Sequence, residues 1–570
     1  MFVLLSRKFI NFYNHYTNQD CQPASARFAE LYRLCSSMFE AYFNGTGNKH
    51  QVVSFDVGVG KSSLIKAFIL FLRQERKLEN QGIVIFLSRL EEVKSFIADC
   101  QLSGRDFAVI SGNEDYNSMG LGHLRSDDAP VLFVVQQKLE AMAMKGLPSF
   151  AKDTRFHYKG MPRNLRLWDE CFKAAEPITV RWDALAALPL RYRGRADALV
   201  NCIDQMAEEI LWLPHGGPLL IPAGLKDVKL PYTAHDDDAD RKLVRNLVGL
   251  AGTTARVVND PQRGATICGA AFHLPADLAP LFVFDAAARV TTGYADREAH
   301  IGDVERIATI ANDYRNVTAH CWEQGASRST LRNDAARQRV ITGIADLANS
   351  SAEPFLIVHP QAREEDGYDI EREVRRALEE PDRVSFLHFG NHHGTNAYRD
   401  IRNVVLIGIW HKPTASAVAN YIVATGLQGD QFDDGDWDAM RIGELKETIM
   451  QAAGRANLRN VRYGVAGPCN VYIITAARDQ ATGLMKDVFP GAPVRTWLPI
   501  QKPLATVPGQ IMEFLLSWKA TGLSISIRKK AVYEALGLRG SHFSNELKRL
   551  LPLLDQHGIK SSGQKFEISN

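Results

Sequence analysis

Residues 58–63 read Gly-Val-Gly-Lys-Ser-Ser, after an apolar β-branched run from Gln51 to Val57 and before the helical pattern "LIKAFILFLRQ". A strand, a glycine turn and a helix start in that order aim backbone N–H groups and a positive helix end at one point, which is what a phosphate chain requires. Lys61 is expected to reach the outer phosphates and Ser62 to ligate Mg²⁺, with Val57, Gly58, Val59, Gly60 and Ser63 completing the cradle of a nucleoside triphosphate such as ATP. Phe55 stands where the pattern G-x-x-x-x-G-K-[ST] has its first glycine, so this is the loosest part of the match. A glycine-rich turn alone would also join a strand to a helix. Gly58, Gly60, Lys61 and Ser62 falling together at that junction favours phosphate.

Triphosphate chemistry needs a carboxylate for the metal and a base for water. "LRLWDECF" offers both at a strand end, Asp169 for the metal and Glu170 for the water. Alone, an acidic pair after a strand is an ordinary solvated loop start; beside a phosphate loop it becomes a candidate half-site. The third element is "QAAGRANLR", in which Gln451, Arg455 and Arg459 recur every four residues. On one helix they would share a face.

These groups must be positioned by something. Continuous apolar runs at 51–57, 82–88, 106–112, 131–137, 165–170 and 281–287 read as strands covered on both faces, hence as a parallel α/β sheet. A second series at 354–360, 384–390, 403–410 and 470–476 reads as a second such sheet. The expected division is an N-terminal helical segment 1–50, a first domain 51–325 and a second domain 326–496. A helical insertion occupies about 175–275, and the junction falls at the helix "RNDAARQRVITGIADL" with the polar "ANSSAEP" after it. A Pro-punctuated stretch, 497–510, leads to a last unit, 510–570.

Composition excludes more than it identifies. With 570 residues the chain is too long for one core. Its 67 basic and 65 acidic residues nearly cancel, so bulk charge names no partner. The eight cysteines form no C-x-x-C pair, which fits reduced thiols in a cytoplasmic protein rather than a disulfide or zinc framework. Nothing reads as a signal peptide or an 18-residue apolar span, so no membrane partner is expected.

Taken together, the motifs resemble those of the superfamily 2 helicases. "FDVGVGKSS" is similar to motif I and "DE" at 169 and 170 to motif II; "FDAAA" at 284–288 is similar to motif III, with Ala287 in place of Thr. "IVIFLS" with "RLEEV" resembles motif Ia, and "VVQQKLEAM" a neighbouring strand-binding motif. "HHGTNAYRD" matches motif V loosely, and "QAAGRANLR" resembles the Q-x-x-G-R-x-x-R of motif VI. The resemblance spans roughly residues 50 to 480. It implies two tandem RecA-like domains with ATP and Mg²⁺ in the cleft between them, and a nucleic-acid partner. It also implies a coupling role for Asp285, and Gln451, Arg455 and Arg459 acting across the cleft, Arg459 as an arginine finger in cis.

Residues 510–570 carry nine Lys or Arg against five Asp or Glu, and their helix, strand, helix, helix, hairpin pattern is similar to a winged helix. Ser541, His542, Asn545, Lys548 and Arg549 would then lie near a groove or backbone, which favours DNA over RNA. A packing or protein-docking module would show the same pattern. His388, His392 and His393 form an H-x-x-x-H-H cluster, but no cysteine or carboxylate completes it, so ordinary cleft or core histidines are expected rather than zinc ligands. The function these features imply is an ATP-dependent helicase or translocase on nucleic acid. An ATP-dependent binding switch without unwinding, and an RNA helicase, are the alternatives.

Overall fold

A computed structural model describes residues 2–17, 25–45, 47–145, 147–228, 238–260, 263–272, 274–363, 366–390, 397–426, 434–499, 507–521 and 526–568. Its first half is a seven-stranded parallel sheet. The strands run in the order Val304–Ile310, His50–Phe55, Phe282–Phe284, Leu165–Asp169, Ile83–Leu87, Val131–Val135, Phe107–Ile110. All side chains of Ile83–Leu87, Val131–Val135 and Leu165–Asp169 are buried, because helices cover both faces. The six apolar runs are all strands, and Val304–Ile310 adds a seventh edge strand that sequence reading missed. Its "VERIATI" exposes Glu305, Arg306 and Thr309, so no continuous apolar run marks it.

Helices Phe2–Thr17 and Ala26–Asn44 pack on the helix Lys61–Gln74 that follows the glycine loop. Phe9 meets Phe68 and Phe71 edge-on, each at 5.5 Å between ring centroids. Ser25 caps the second helix by accepting from the Phe28 N–H, and Gly45 ends it at φ +64°. The loop helix is thus buried on both sides, which fixes the direction of its N-terminus.

The second half is a six-stranded parallel sheet ordered Val384–His388, Phe355–His359, Asn403–Ile407, Cys469–Thr475, Val317–Glu323, Val494–Thr496. Val317–Glu323 pairs in this sheet with Cys469–Thr475. The chain therefore changes sheets between Ile310 and Val317, ahead of the expected boundary at 325. The helix expected at the junction, Asp334–Asn349, lies inside the second unit. In "VTAHCWE" Thr318 and His320 interrupt the apolar run, so no strand is marked there in the sequence. Two tandem parallel sheets joined by one short segment are the RecA-like pair that the motifs implied.

The insertion, expected as helical, also contains a four-stranded antiparallel sheet ordered Ala175–Arg181, Gly264–Phe272, Thr254–Asp260, Gly217–Leu220. Its outer face is not solvated. Ala175, Cys268 and Ala270 share an apolar cluster with Val418, Ile422 and Val423 of helix Thr414–Thr425, and Asp260 accepts from the Ala415 N–H at 3.1 Å. The insertion leaves the first sheet and leans on the second. Residues 507–568 contain helix Val507–Thr521, strand Ser526–Arg528, helices Lys529–Ala535 and Gly540–Gln556, and the hairpin Ile559–Ser562 with Lys565–Ile568. Their three strands form an antiparallel sheet.

Candidate functional site

The first strand ends at Phe55, which is fully buried and paired with Ile310. In place of a glycine, this position supplies a core anchor under the loop. The turn is made further on, where Gly58 and Gly60 adopt φ +82° and +99°, and the helix begins at Lys61. The Lys61 ammonium donates to the Phe55 carbonyl at 3.2 Å. Burial lowers its pKa, and Asp169, Asp285, Glu170 and Asp56 oppose that shift.

A cavity of about 400 Å³ opens in front of this loop, between the two sheets. Of the seven expected cradle residues, Val57, Gly58, Gly60, Lys61, Ser62 and Ser63 line it. Val59 does not. Its side chain is turned into the core, and its carbonyl accepts from the Tyr13 hydroxyl at 3.4 Å. Asp169, Glu170 and Asp285 line the same cavity from neighbouring strand ends, and Gln451, Arg455 and Arg459 line it from the second sheet.

Asp169 is 4% exposed; burial and the neighbouring Glu170 push its pKa up to about 6 against relief from Lys61 and Lys66. A carboxylate held this way is short of positive charge. Ser62 and Asp169 are the hydroxyl and carboxylate that a phosphate-bound Mg²⁺ takes from a protein, so the residues present fit that ion. Among the described residues no group of three or more His, Cys, Asp or Glu could hold a metal unaided, and such an Mg²⁺ needs none. Glu170 sits at φ +75°, a conformation that costs an ordinary residue about 1–3 kcal/mol, and its N–H donates to the Phe284 carbonyl at 3.0 Å. Backbone strain on the candidate base, imposed by the neighbouring strand, is what a pre-set catalytic group looks like.

Asp285 accepts from the Ala287 N–H at 2.8 Å and from the Tyr294 hydroxyl at 2.9 Å, and that hydroxyl accepts from the Phe172 N–H at 3.0 Å. Tyr294 thereby ties the segment after Glu170 to the segment around Asp285. Burial raises the Asp285 pKa.

On the far side, the expectation of one helical stripe is corrected. The helix Asp434–Ala453 carries Gln451 and stops; Arg455 lies in the turn beyond it, and Arg459 on the short 3₁₀ turn Asn457–Arg459. Gly454 is held against the Val57 side chain, where an added Cβ would sit 3.0 Å from it, and the chain turns there. All three still reach the cavity. Arg455 donates to Gln451 at 3.2 Å; burial and the nearby Arg459 lower its pKa to about 10. Burial and Arg399 lower that of Arg459. The two sheets touch closely here. A Cβ on Gly58 would lie 2.0 Å from the Arg459 carbonyl oxygen.

Sequence reading missed four site residues. Glu92, Lys66, Arg399 and Asn460 also line the cavity, and burial beside Asp169 and Glu170 pushes Glu92 up to about 7. Arg399 belongs to the loosely matching "HHGTNAYRD", of which residues 392–396 lie outside the described residues, as do His392 and His393 of the histidine cluster. Asp56 was missed too. It is fully buried, and accepts from Arg289 Nε at 3.0 Å, the Asn312 N–H at 2.9 Å and the Tyr314 hydroxyl at 2.9 Å. Arg289 also donates to the carbonyls of Asp487 and Val488 in the second unit. A charged residue inside the loop, with no partner nearby in sequence, was the available signal.

Ser541, His542, Asn545, Lys548 and Arg549 do not line this cavity. All five are exposed on the helix Gly540–Gln556, whose Phe543, Leu547, Leu550 and Leu554 face inward. No described helix is long and apolar enough to cross a membrane.

No protein-family profile matches the chain, and no curated protein matches it in sequence. Among solved structures it is similar to S. tokodaii Xpd4 at 12% identity and TM-score 0.40, over 81% of this chain and 98% of that one. S. cerevisiae Dbp5 bound to RNA and ADP BeF3 is similar at 11% identity and TM-score 0.38, over 86% and 93%. The Mycobacterium smegmatis helicase Lhr bound to ssDNA and AMP-PNP is similar at 11% identity and TM-score 0.35, over 99% of this chain and 60% of that one. Likenesses this distant identify no relative, and the fold stands on the sheet topology above.

Proposed function

We propose that this chain is an ATP-dependent helicase or translocase of the superfamily 2 type acting on nucleic acid, with DNA the favoured substrate. The observation that carries the reading is one cavity shared by Lys61, Ser62, Asp169 and Glu170 from one sheet and Gln451, Arg455 and Arg459 from the other. A site completed only when two units meet converts nucleotide turnover into relative motion.

In this reading the loop 57–63 binds the phosphates through backbone N–H groups, and Lys61 exchanges its bond to the Phe55 carbonyl for the outer phosphates. Ser62 and Asp169 would hold Mg²⁺, which when bound would supply positive charge to the phosphates. Glu170 orients the water and takes its proton as the oxygen attacks the γ phosphorus and the bond to ADP breaks. Arg459 and Arg455 stabilise the transferring phosphoryl group, and Gln451 holds Arg455 in place. Asp285, tied through Tyr294 to the segment after Glu170, carries the state of the site to the cleft wall. The last unit we read as a winged helix, in which Ser541, Asn545, Lys548 and Arg549 meet nucleic acid; its basic surface supports DNA over RNA.

The test is ATP turnover measured separately with single-stranded DNA, duplex DNA and RNA, with Lys61→Ala and Glu170→Gln as controls. Stimulation by a strand, lost in both variants, is expected. Turnover retained in both variants removes the assignment. Strand-dependent turnover without strand displacement leaves a binding switch.

A further inference from the structure

Arg289 does not line the cavity shared by Lys61 and Arg459, yet its side chain touches both units. It ends the short 3₁₀ turn Ala287–Arg289 after Asp285 and is largely buried. One edge of its guanidinium grips the Asp56 carboxylate, Nε at 3.0 Å and Nη2 at 3.2 Å. The other edge donates to the second unit, from Nη1 to the Asp487 carbonyl at 2.9 Å and from Nη2 to the Val488 carbonyl at 3.0 Å.

Each end of this contact is itself tied to a wall of the cavity. Asp56 stands one residue before Val57, where the lining begins, and its N–H donates to the Ile310 carbonyl at 3.0 Å. Asn312, whose N–H donates to the Asp56 carboxylate, also donates from Nδ2 to the Val57 carbonyl at 2.9 Å. The start of the loop is thus held at two successive residues. On the other side, Asp487 and Val488 close helix Arg478–Val488, so their carbonyls have no partner within it and carry the negative end of its dipole. The Asp487 carboxylate pairs with Lys446 at 2.8 Å, on the helix Asp434–Ala453 that carries Gln451 and leads to Arg455 and Arg459.

One guanidinium therefore joins the loop to the element that presents the arginines. A planar fork with donors on two edges can do this; an ammonium, with its donors at one point, cannot. The contact does not part readily either, since Asp56 is fully buried and would be left as a lone charge.

We propose that Arg289 is a positioning residue for ATP turnover: by tying Asp56 to the end of helix Arg478–Val488, it sets Arg455 and Arg459 at their working distance from the loop 57–63. This rests on the nucleotide reading above. Arg289 touches no substrate in it and acts through the two arginines.

The test is made on the full chain. Arg289→Lys keeps a positive charge beside Asp56 but cannot serve both edges. It should leave affinity for a fluorescent ATP analogue nearly unchanged and slow single-turnover hydrolysis roughly ten- to a hundredfold, the range that a misplacement of about an ångström brings. In an Arg459→Ala background the same change should cost far less than it does alone, because a group it positions is gone, whereas a merely loosened fold makes the two losses multiply. If Arg289→Lys does not fold, Asp56→Asn with Arg289→Gln removes both buried charges and should give the same split. Hydrogen–deuterium exchange needs no variant: in the wild type, the ATP analogue should slow exchange at the end of helix Arg478–Val488 as well as in the loop. Unchanged hydrolysis, a loss confined to affinity, losses that multiply, or a helix end indifferent to nucleotide overturns the positioning role while the nucleotide reading stands. A wild-type chain that binds no ATP analogue removes both.

Discussion

Asp169→Asn should make the nucleotide-free protein more stable at pH 8 while abolishing turnover. The fold holds this carboxyl near pKa 6, raised from the usual 3.8 by burial first and Glu170 second. Between those values the folded state binds a proton that the unfolded chain has released, so stability falls as pH rises through this window and stays reduced above it. A difference of about two units corresponds to roughly 3 kcal/mol at most. Because Glu170 and Lys61 share the field, about 1–3 kcal/mol is expected from the neutral amide, which keeps the side chain's volume and leaves the Gln136 bond to the Asp169 backbone carbonyl at 2.6 Å intact. Calorimetric melts from pH 4 to 8.5 check this. The transition that contains the first sheet should rise by a few degrees in the variant at pH 8, with the gap closing towards pH 4. Adding MgATP should reverse the order, since the wild type then uses its ionised carboxylate on the metal. A variant less stable than wild type at pH 8 without nucleotide, or a gap independent of pH, refutes the reasoning.

Arg459→Ala should lower ATP turnover about a thousandfold with nucleotide affinity nearly unchanged, a split that single-turnover kinetics resolves. Gly58→Ala combines an unfavourable φ of +82° with a Cβ only 2.0 Å from the Arg459 carbonyl, and should reduce turnover at least tenfold. Gly302→Ala, at φ +75° with nothing within 4 Å, should cost about 1 kcal/mol in a melt and leave turnover alone. Lys548→Glu with Arg549→Glu should weaken strand binding and lower its logarithmic salt slope by about one unit per lost phosphate contact, measured as anisotropy against salt.

What could be read from the sequence follows from how local each feature's cause is. The glycine loop is set within ten residues: a buried strand, two glycines that take positive φ, and a helix start. The six continuous apolar runs of the first sheet are likewise local, since burial on both faces leaves no polar alternation to confuse them. Strands Val304–Ile310 and Val317–Glu323 escaped because each mixes polar with apolar residues. With them went the point at which the chain changes sheets. Gln451, Arg455 and Arg459 line one cavity but do not share one helix face: a spacing of four suggests such a face, but the chain turns after Ala453, where Gly454 lies against Val57, some four hundred residues away in sequence.

The least legible features are those that join units. Nothing around Asp56 announces that Arg289, Asn312 and Tyr314 converge on it, yet this buried carboxylate connects the glycine loop, the segment after Asp285 and the linker between sheets. Arg289 extends the connection to the end of helix Arg478–Val488. The insertion makes a second connection through helix Thr414–Thr425, whose small residues admit its sheet. Relative motion of the two sheets must therefore strain a charged contact at the loop and an apolar one at the insertion. Both contacts are buried: parting Arg289 from the fully buried Asp56 leaves a charge without its partner, and parting the apolar faces loses buried area.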